Sequence, residues 1–156
     1  MAPTYRFDSA TGAFGVLYVA LSFAGALVET LLRNPRRKMV NEAEIASRSA
    51  SVLRCQRDLR LVWLHGAGLQ VLGLDNAIST GPYEPCGAWA DALFAHPTVP
   101  DGLGFRSRHD PDCMLLAIFE RPDLVFESES ETPLLKCLGE VAGVLGGYGK
   151  SIAPAS

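Results

Sequence analysis

The sequence predicts an α+β fold, a mixed sheet flanked by helices, and three observations carry that prediction. A β-type run, Val16-Leu17-Tyr18-Val19, leads through Ser22 into an apolar helical stretch that stops at Asn34-Pro35. Trp89, Leu93 and Phe94 recur at helical spacing after Pro85. Two strand-like runs, residues 102–107 and 113–119, flank the polar turn Arg108-His109-Asp110-Pro111-Asp112. At 156 residues the chain is expected to form a single domain, 1–156, with a core of its own.

Residues 5–8 read as a short strand, followed by a loop over 9–15 that carries Gly12 and Gly15. Residues 16–20 are a buried strand. Ser22 is the cap of a helix reaching about residue 32, because its hydroxyl can accept an otherwise unpaired N–H of the first turn. Residues 41–47 form a short helix with Glu42 and Glu44 near its positive end. Residues 51–55 and 59–64 read as two strands across a charged turn. The glycine-rich 67–74 stretch, with its spaced leucines, is one short helix, and 78–85 is loop. A helix over 86–95 ends before Pro97 and Pro100. Residues 134–145 form a last helix, and 146–156 are expected to be a loose tail.

Composition excludes several classes. The net charge is −3, and the one basic triplet, Arg36-Arg37-Lys38, follows Asn34-Pro35 and reads as a solvated loop, so direct nucleic-acid binding has no support. The four cysteines, Cys55, Cys86, Cys113 and Cys137, form no CxxC pair and no zinc-like spacing, so no metal is expected. Scattered thiols of this kind suit a cytoplasmic protein. The uncharged run from Ser9 to Val28 is long enough for a signal peptide or a span, but Gly12, Gly15, Ser22 and Gly25 interrupt it and Arg6 is offset by Asp8. No membrane role is expected.

Glu29 breaks that uncharged run. At 100° per residue, Ala26, Leu27, Thr30 and Leu31 cover one side of the helix, and Val28 and Leu32 another. Glu29 falls in the remaining sector with Gly25, whose missing side chain is expected to leave a gap beside the carboxylate. An acid on an otherwise apolar helix needs a partner or a task. The histidines, His65, His96 and His109, stand in unrelated contexts and complete no Ser-His-Asp set, and phosphate-loop signatures are absent. Arg106 and Arg108, which flank Ser107, suit the exposed face of an edge strand or, alternatively, phosphate binding.

Four ordered motifs resemble a known family: Arg6-Phe7; Phe14 to Ser22; Ala26-Leu-Val-Glu29-Thr; and Asp101-Gly-Leu-Gly-Phe-Arg106-Ser107-Arg108-His109. Leu115 to Arg121 follows the last, and Leu59 to Leu64 and Tyr83 to Ala90 fit between. Together they resemble the RES domain, named for its Arg, Glu and Ser. The resemblance implies an ADP-ribosyltransferase-like fold. It also implies an NAD-degrading toxin of a toxin–antitoxin pair, acting as glycohydrolase or phosphorylase and partnered by an Xre-type antitoxin. Residue by residue, it implies that Arg6, Glu29 and Ser107 are catalytic. Arg6, Tyr18 and Ser107 would bind NAD as substrate, with phosphate a possible co-substrate. The family usually carries a further arginine on an earlier first strand, and Met1 lies too close to Arg6 for that strand. This implies a displaced start or a shortened member. Phe105 also stands where a tyrosine is common. Two alternatives stay open: a protein ADP-ribosyltransferase, or a truncated, non-catalytic RES-like protein that binds an antitoxin.

The chemistry is consistent with those residue types. Breaking a nicotinamide–ribose bond passes through an oxocarbenium-like state, and the leaving group is already cationic, so no general acid is required. A carboxylate such as Glu29 can stabilise the developing cation or grip a ribose hydroxyl. An arginine such as Arg6 suits a pyrophosphate, and Tyr18 offers a flat face and a hydroxyl. Ser107 has no neighbouring base in sequence, so it is expected to bind rather than attack. The same residues also suit plainer roles: a structural Arg6–Glu29 ion pair and a core Tyr18.

Overall fold

The computed structural model describes residues 4–154. Its central sheet has four strands in the order β1-β6-β5-β4, where β1 is Val16–Ala20, β4 Leu61–Leu64, β5 Gly102–Arg106 and β6 Met114–Phe119. The β1–β6 and β5–β6 pairs are antiparallel and β4–β5 is parallel, so the sheet is mixed as expected. Side chains alternate across it. Tyr18, Leu64, Leu103, Phe105, Leu115, Ala117 and Phe119 share one face with Phe7 and with α5, Glu84–Phe94.

A second core lies around α1, Phe23–Leu31. Leu27, Val28, Leu31 and Leu32 pack with Val40, Ile45, Val141 and Leu145. Val40 belongs to β2, Met39–Asn41, and Ile45 to α2, Glu42–Ala46. Val141 and Leu145 belong to α6, Leu138–Gly147. Two further two-stranded sheets complete the topology. β3, Ser49–Cys55, pairs antiparallel with β7, Phe126–Pro133, and β2 pairs parallel with β8, Ser151–Ala153. The remaining helices among the described residues are α3, Ala67–Val71, and α4, Ala77–Thr80.

Several expectations are corrected. Residues 5–8 are a turn, because the Asp8 carboxylate accepts the Thr4 and Tyr5 N–H groups at 2.9 and 2.8 Å and closes the chain on itself. β3 and β4 do not pair with each other; β3 takes β7, a Glu/Ser-rich strand whose polar alternation hid it. Residues 78–85 are not all loop, since α4 covers Ala77–Thr80 and α5 already starts at Glu84. The last helix opens as a 3-10 turn, Leu134–Cys137. Residues 151–153 of the expected loose tail are ordered into β8 by pairing with β2, while 155–156 fall outside the described residues. β5 lies inside the sheet, so Arg106 and Arg108 do not flank an edge strand. A Cβ on Gly25 would meet Ser22 Oγ at 3.1 Å and the Ala20 and Cys113 Cβ atoms at 3.4 and 3.5 Å, so neighbouring atoms already line that space and leave no gap.

Candidate active site

The helix that carries Glu29 begins as its sequence dictates. The Ser22 hydroxyl accepts the Gly25 N–H at 3.0 Å, and the apolar side of α1 is buried in the second core. Glu29 is half-buried on the other side. There the Ser107 hydroxyl donates to Glu29 Oε1 at 2.5 Å.

Ser107 directly follows β5 and is 2% exposed. Its N–H donates to the Cys113 carbonyl at 3.0 Å, which closes the β5–β6 turn. Its Oγ accepts the N–H groups of His109 at 3.0 Å and Asp110 at 3.2 Å. A serine hydroxyl has one proton and two lone pairs. Both acceptor positions are used by backbone amides, so the proton is directed at Glu29. That makes Glu29 the acceptor and Ser107 a fixed donor. The turn expected at His109-Asp110 is therefore present, and it aims the serine.

Tyr18 belongs to β1, and Arg6 lies in the turn over residues 5–8. The Tyr18 hydroxyl accepts the Phe7 N–H at 2.9 Å and donates to Asp8 Oδ1 at 3.1 Å. Burial, then the Asp8 charge, pushes the phenol well above its ordinary range, so it stays a neutral donor. Arg6 is 6% exposed. Its Nη1 donates to the carbonyls of Ile78 at 3.2 Å and Gly81 at 2.9 Å and meets Cys86 Sγ at 3.6 Å. The guanidinium lies 4.5 Å from the centre of the Tyr83 ring. Its Nη2 is buried without a hydrogen-bond partner. Among the described residues no ion pair joins Arg6 to Glu29, so the plain reading of the two as a salt bridge does not hold.

A line of side chains connects the two halves. The Tyr18 and Tyr5 rings are 5.5 Å apart. The Arg33 guanidinium lies 5.8 Å from the Tyr5 ring, and Arg33 Nε donates to the Glu29 carbonyl one helical turn back. His109, two residues after Ser107, feels the charges of both Glu29 and Arg33. Its imidazole is pushed below its usual range, first by burial and then by Arg108 and Arg33, against the opposing pull of Glu29. Tyr5, Tyr83 and Arg33 are all exposed, so this face is open to solvent. The hollow lined by Gly15, Leu17, Ile118, Glu120 and Leu124 lies elsewhere, as does one lined by Phe23, Ala26, Arg48 and Leu134. Neither gathers convergent polar groups, and the site is better defined by chemistry than by depth.

Thus Glu29 and Ser107 are brought together and Tyr18 is joined to Asp8, while the Arg6 guanidinium is held against Ile78, Gly81 and Tyr83. Sequence reasoning assigned no role to Tyr5, Arg33 or Asp8. The one available signal was the spacing of Arg33 four residues after Glu29. Among the described residues no group of three or more His, Cys, Asp or Glu is placed to hold a metal, and no helix is long and apolar enough to cross a membrane.

The family model of the RES domain matches residues 2–136 of the chain. The chain belongs to the RES-domain family. The match spans Arg6, Tyr18, Glu29 and Ser107, and it stops before α6 and β8. No curated protein matches the chain. No solved structure matches it either, so the ADP-ribosyltransferase-like fold rests on the family resemblance alone. As a RES domain, the chain is assigned at family level to toxin-like, NAD-related proteins.

Proposed function

We propose that this RES domain cleaves the nicotinamide–ribose bond of NAD, with water or phosphate as acceptor, as the toxin of a toxin–antitoxin pair with an Xre-type partner. The observation that carries the reading is the Ser107–Glu29 hydrogen bond at 2.5 Å, with both serine lone pairs already taken by backbone amides. A serine so engaged has no free lone pair for attack. It fixes one carboxylate oxygen and leaves Oε2 to face a developing ribosyl cation or a ribose hydroxyl.

The rest of the line supports the same chemistry. Tyr5, Tyr18 and Tyr83 offer aromatic faces suited to a cationic nicotinamide or an adenine. Arg33 supplies exposed positive charge for a pyrophosphate, and Arg6, whose unpartnered Nη2 is buried, adds to the positive potential. Arg6 has a second role, because its Nη1 holds the 78–81 segment by two carbonyls. No proton has to be delivered to the leaving nicotinamide, which matches a Tyr18 hydroxyl committed to Asp8.

The test is to incubate the purified chain with NAD, with and without phosphate, and identify the products. Free ADP-ribose without phosphate means hydrolysis; phosphate-dependent loss means phosphorolysis. Labelled macromolecule instead of free product would move the assignment to protein ADP-ribosylation. No NAD loss from a folded, partner-free sample would overturn the enzymatic reading and leave partner binding as the role.

A further inference from the structure

Tyr148 caps the C-terminal end of α6, beyond the span matched by the RES-domain model. We propose that Tyr148 is a positioning residue for the Glu29–Ser107 pair, acting through Asp110. The proposal rests on the reading of that pair as the reacting site.

The connection runs through four residues, Tyr148, Asp110, Ser107 and Glu29. The Tyr148 hydroxyl donates to Asp110 Oδ2 at 2.5 Å, and the Cys113 thiol reaches the same oxygen at 3.4 Å. The other oxygen, Oδ1, accepts the Asp112 N–H at 3.0 Å. Asp110 is therefore held at both oxygens. The Tyr148 hydrogen bond, ahead of the Asp112 amide, keeps its carboxyl below the ordinary range, so it is a charged anchor. The Asp110 N–H in turn donates to Ser107 Oγ, and Ser107 donates to Glu29. A hydroxyl on the last helix thus fixes the amide that orders the serine.

The same segment also grips the helix that carries the glutamate. Val141 and Leu145 pack in one cluster with Leu27, Val28 and Leu31 of α1. Lys150 Nζ donates to the Pro35 carbonyl at 3.1 Å and to that of Arg37, and the Ser151 N–H donates to Lys38 at 3.0 Å. Glu29 and Ser107 are 78 positions apart and sit on different elements. One stretch of chain therefore positions both. Small displacements of a carboxylate from the reacting atom cost rate far more than they cost stability.

The test uses the full chain and the Tyr148→Phe variant, which keeps the ring and removes the hydroxyl. NAD consumption is expected to lose roughly three- to tenfold in kcat with KM within about twofold, because positioning acts on the transition state rather than on binding. Amide exchange at His109 and Asp110 is expected to speed up while the melting temperature stays close to wild type. A double variant with Asp110→Asn should be no slower than the slower single variant, since both act through one connection. Wild-type kcat, a loss confined to KM, or additive losses in the double variant would overturn the proposal. If the wild-type chain consumes no NAD, the NAD reading fails by itself, and unchanged amide exchange in Tyr148→Phe would then reject Tyr148 separately.

Discussion

Ser107 and Glu29 act as one unit, so changes to them should separate chemistry from folding. Glu29→Gln keeps the size and an acceptor oxygen but removes the charge. NAD turnover should fall by about a hundredfold or more, the cost typical of deleting a preorganised electrostatic contact, with the melting curve little changed. Product assays on matched, folded samples check this. Ser107→Ala should behave differently. It frees Glu29 and leaves the His109 and Asp110 amides without their acceptor, so a stability loss of about 1–3 kcal/mol should accompany the rate loss. Mass spectrometry during turnover should find no covalent adduct on Ser107 in the wild type. At this scale the sequence exposed the acid but not its partner. Glu29 stood out because an uncharged run, Ser9 to Val28, leads up to it. The hydrogen bond to a residue 78 positions away, and the open line through Tyr5 and Arg33, depend on how β1, α1 and the β5–β6 turn are brought together. Local spacing does not encode that.

Among the elements, legibility followed how much of each one's character is local. Ser22 caps its helix as its position implies, and the β5–β6 pair closes over the expected polar turn. β7 and β8 were missed for opposite reasons. β7 alternates glutamate with serine and has little apolar signal, while β8 is three residues long and is defined only by its partner β2. Two glycines of β5 show how the sheet is fitted, and they predict different failures. A Cβ on Gly102 would meet the Ala117 carbonyl oxygen at 2.2 Å, and backbone cannot yield cheaply. Gly102→Ala should cost about 1–3 kcal/mol in denaturant unfolding. A Cβ on Gly104 would meet the Trp63 ring at 2.2 Å, but Trp63 is 43% exposed and its ring can swing outward. Gly104→Ala should therefore stay folded and shift the Trp63 emission to the red, read in a Trp89→Phe background.

For the whole molecule, two long-range ties set stability. The first is electrostatic. Arg57 meets both oxygens of Asp101 at 2.8 Å, and Asp101 is 3% exposed. This guanidinium, more than the Arg60 amide, holds the Asp101 carboxyl below its ordinary range against the effect of burial. A carboxylate lowered on folding stabilises the native state above its unfolded pKa and loses that contribution as pH falls through the folded value. The stability gap between wild type and Asp101→Asn should thus be full near neutral pH and close progressively below about pH 4. Denaturant midpoints measured across that range check it. The second tie is apolar. Leu145 is fully buried against α1, so Leu145→Ala should cost about 2–5 kcal/mol and lower the melting temperature.

The parallel pairing of Met39–Asn41 with Ser151–Ala153 has a consequence for synthesis. A nascent chain emerges from the ribosome in order, and β2 leaves long before β8 exists. The helix that bears Glu29 can close its core only when residue 153 is clear of the exit tunnel, because Val40, Val141, Leu145 and Ile152 pack together. A ribosome-stalled chain ending before residue 138 would hold every residue of the proposed reacting pair and lack the scaffold that aligns them. Translation itself would then keep the activity off until β8 has emerged.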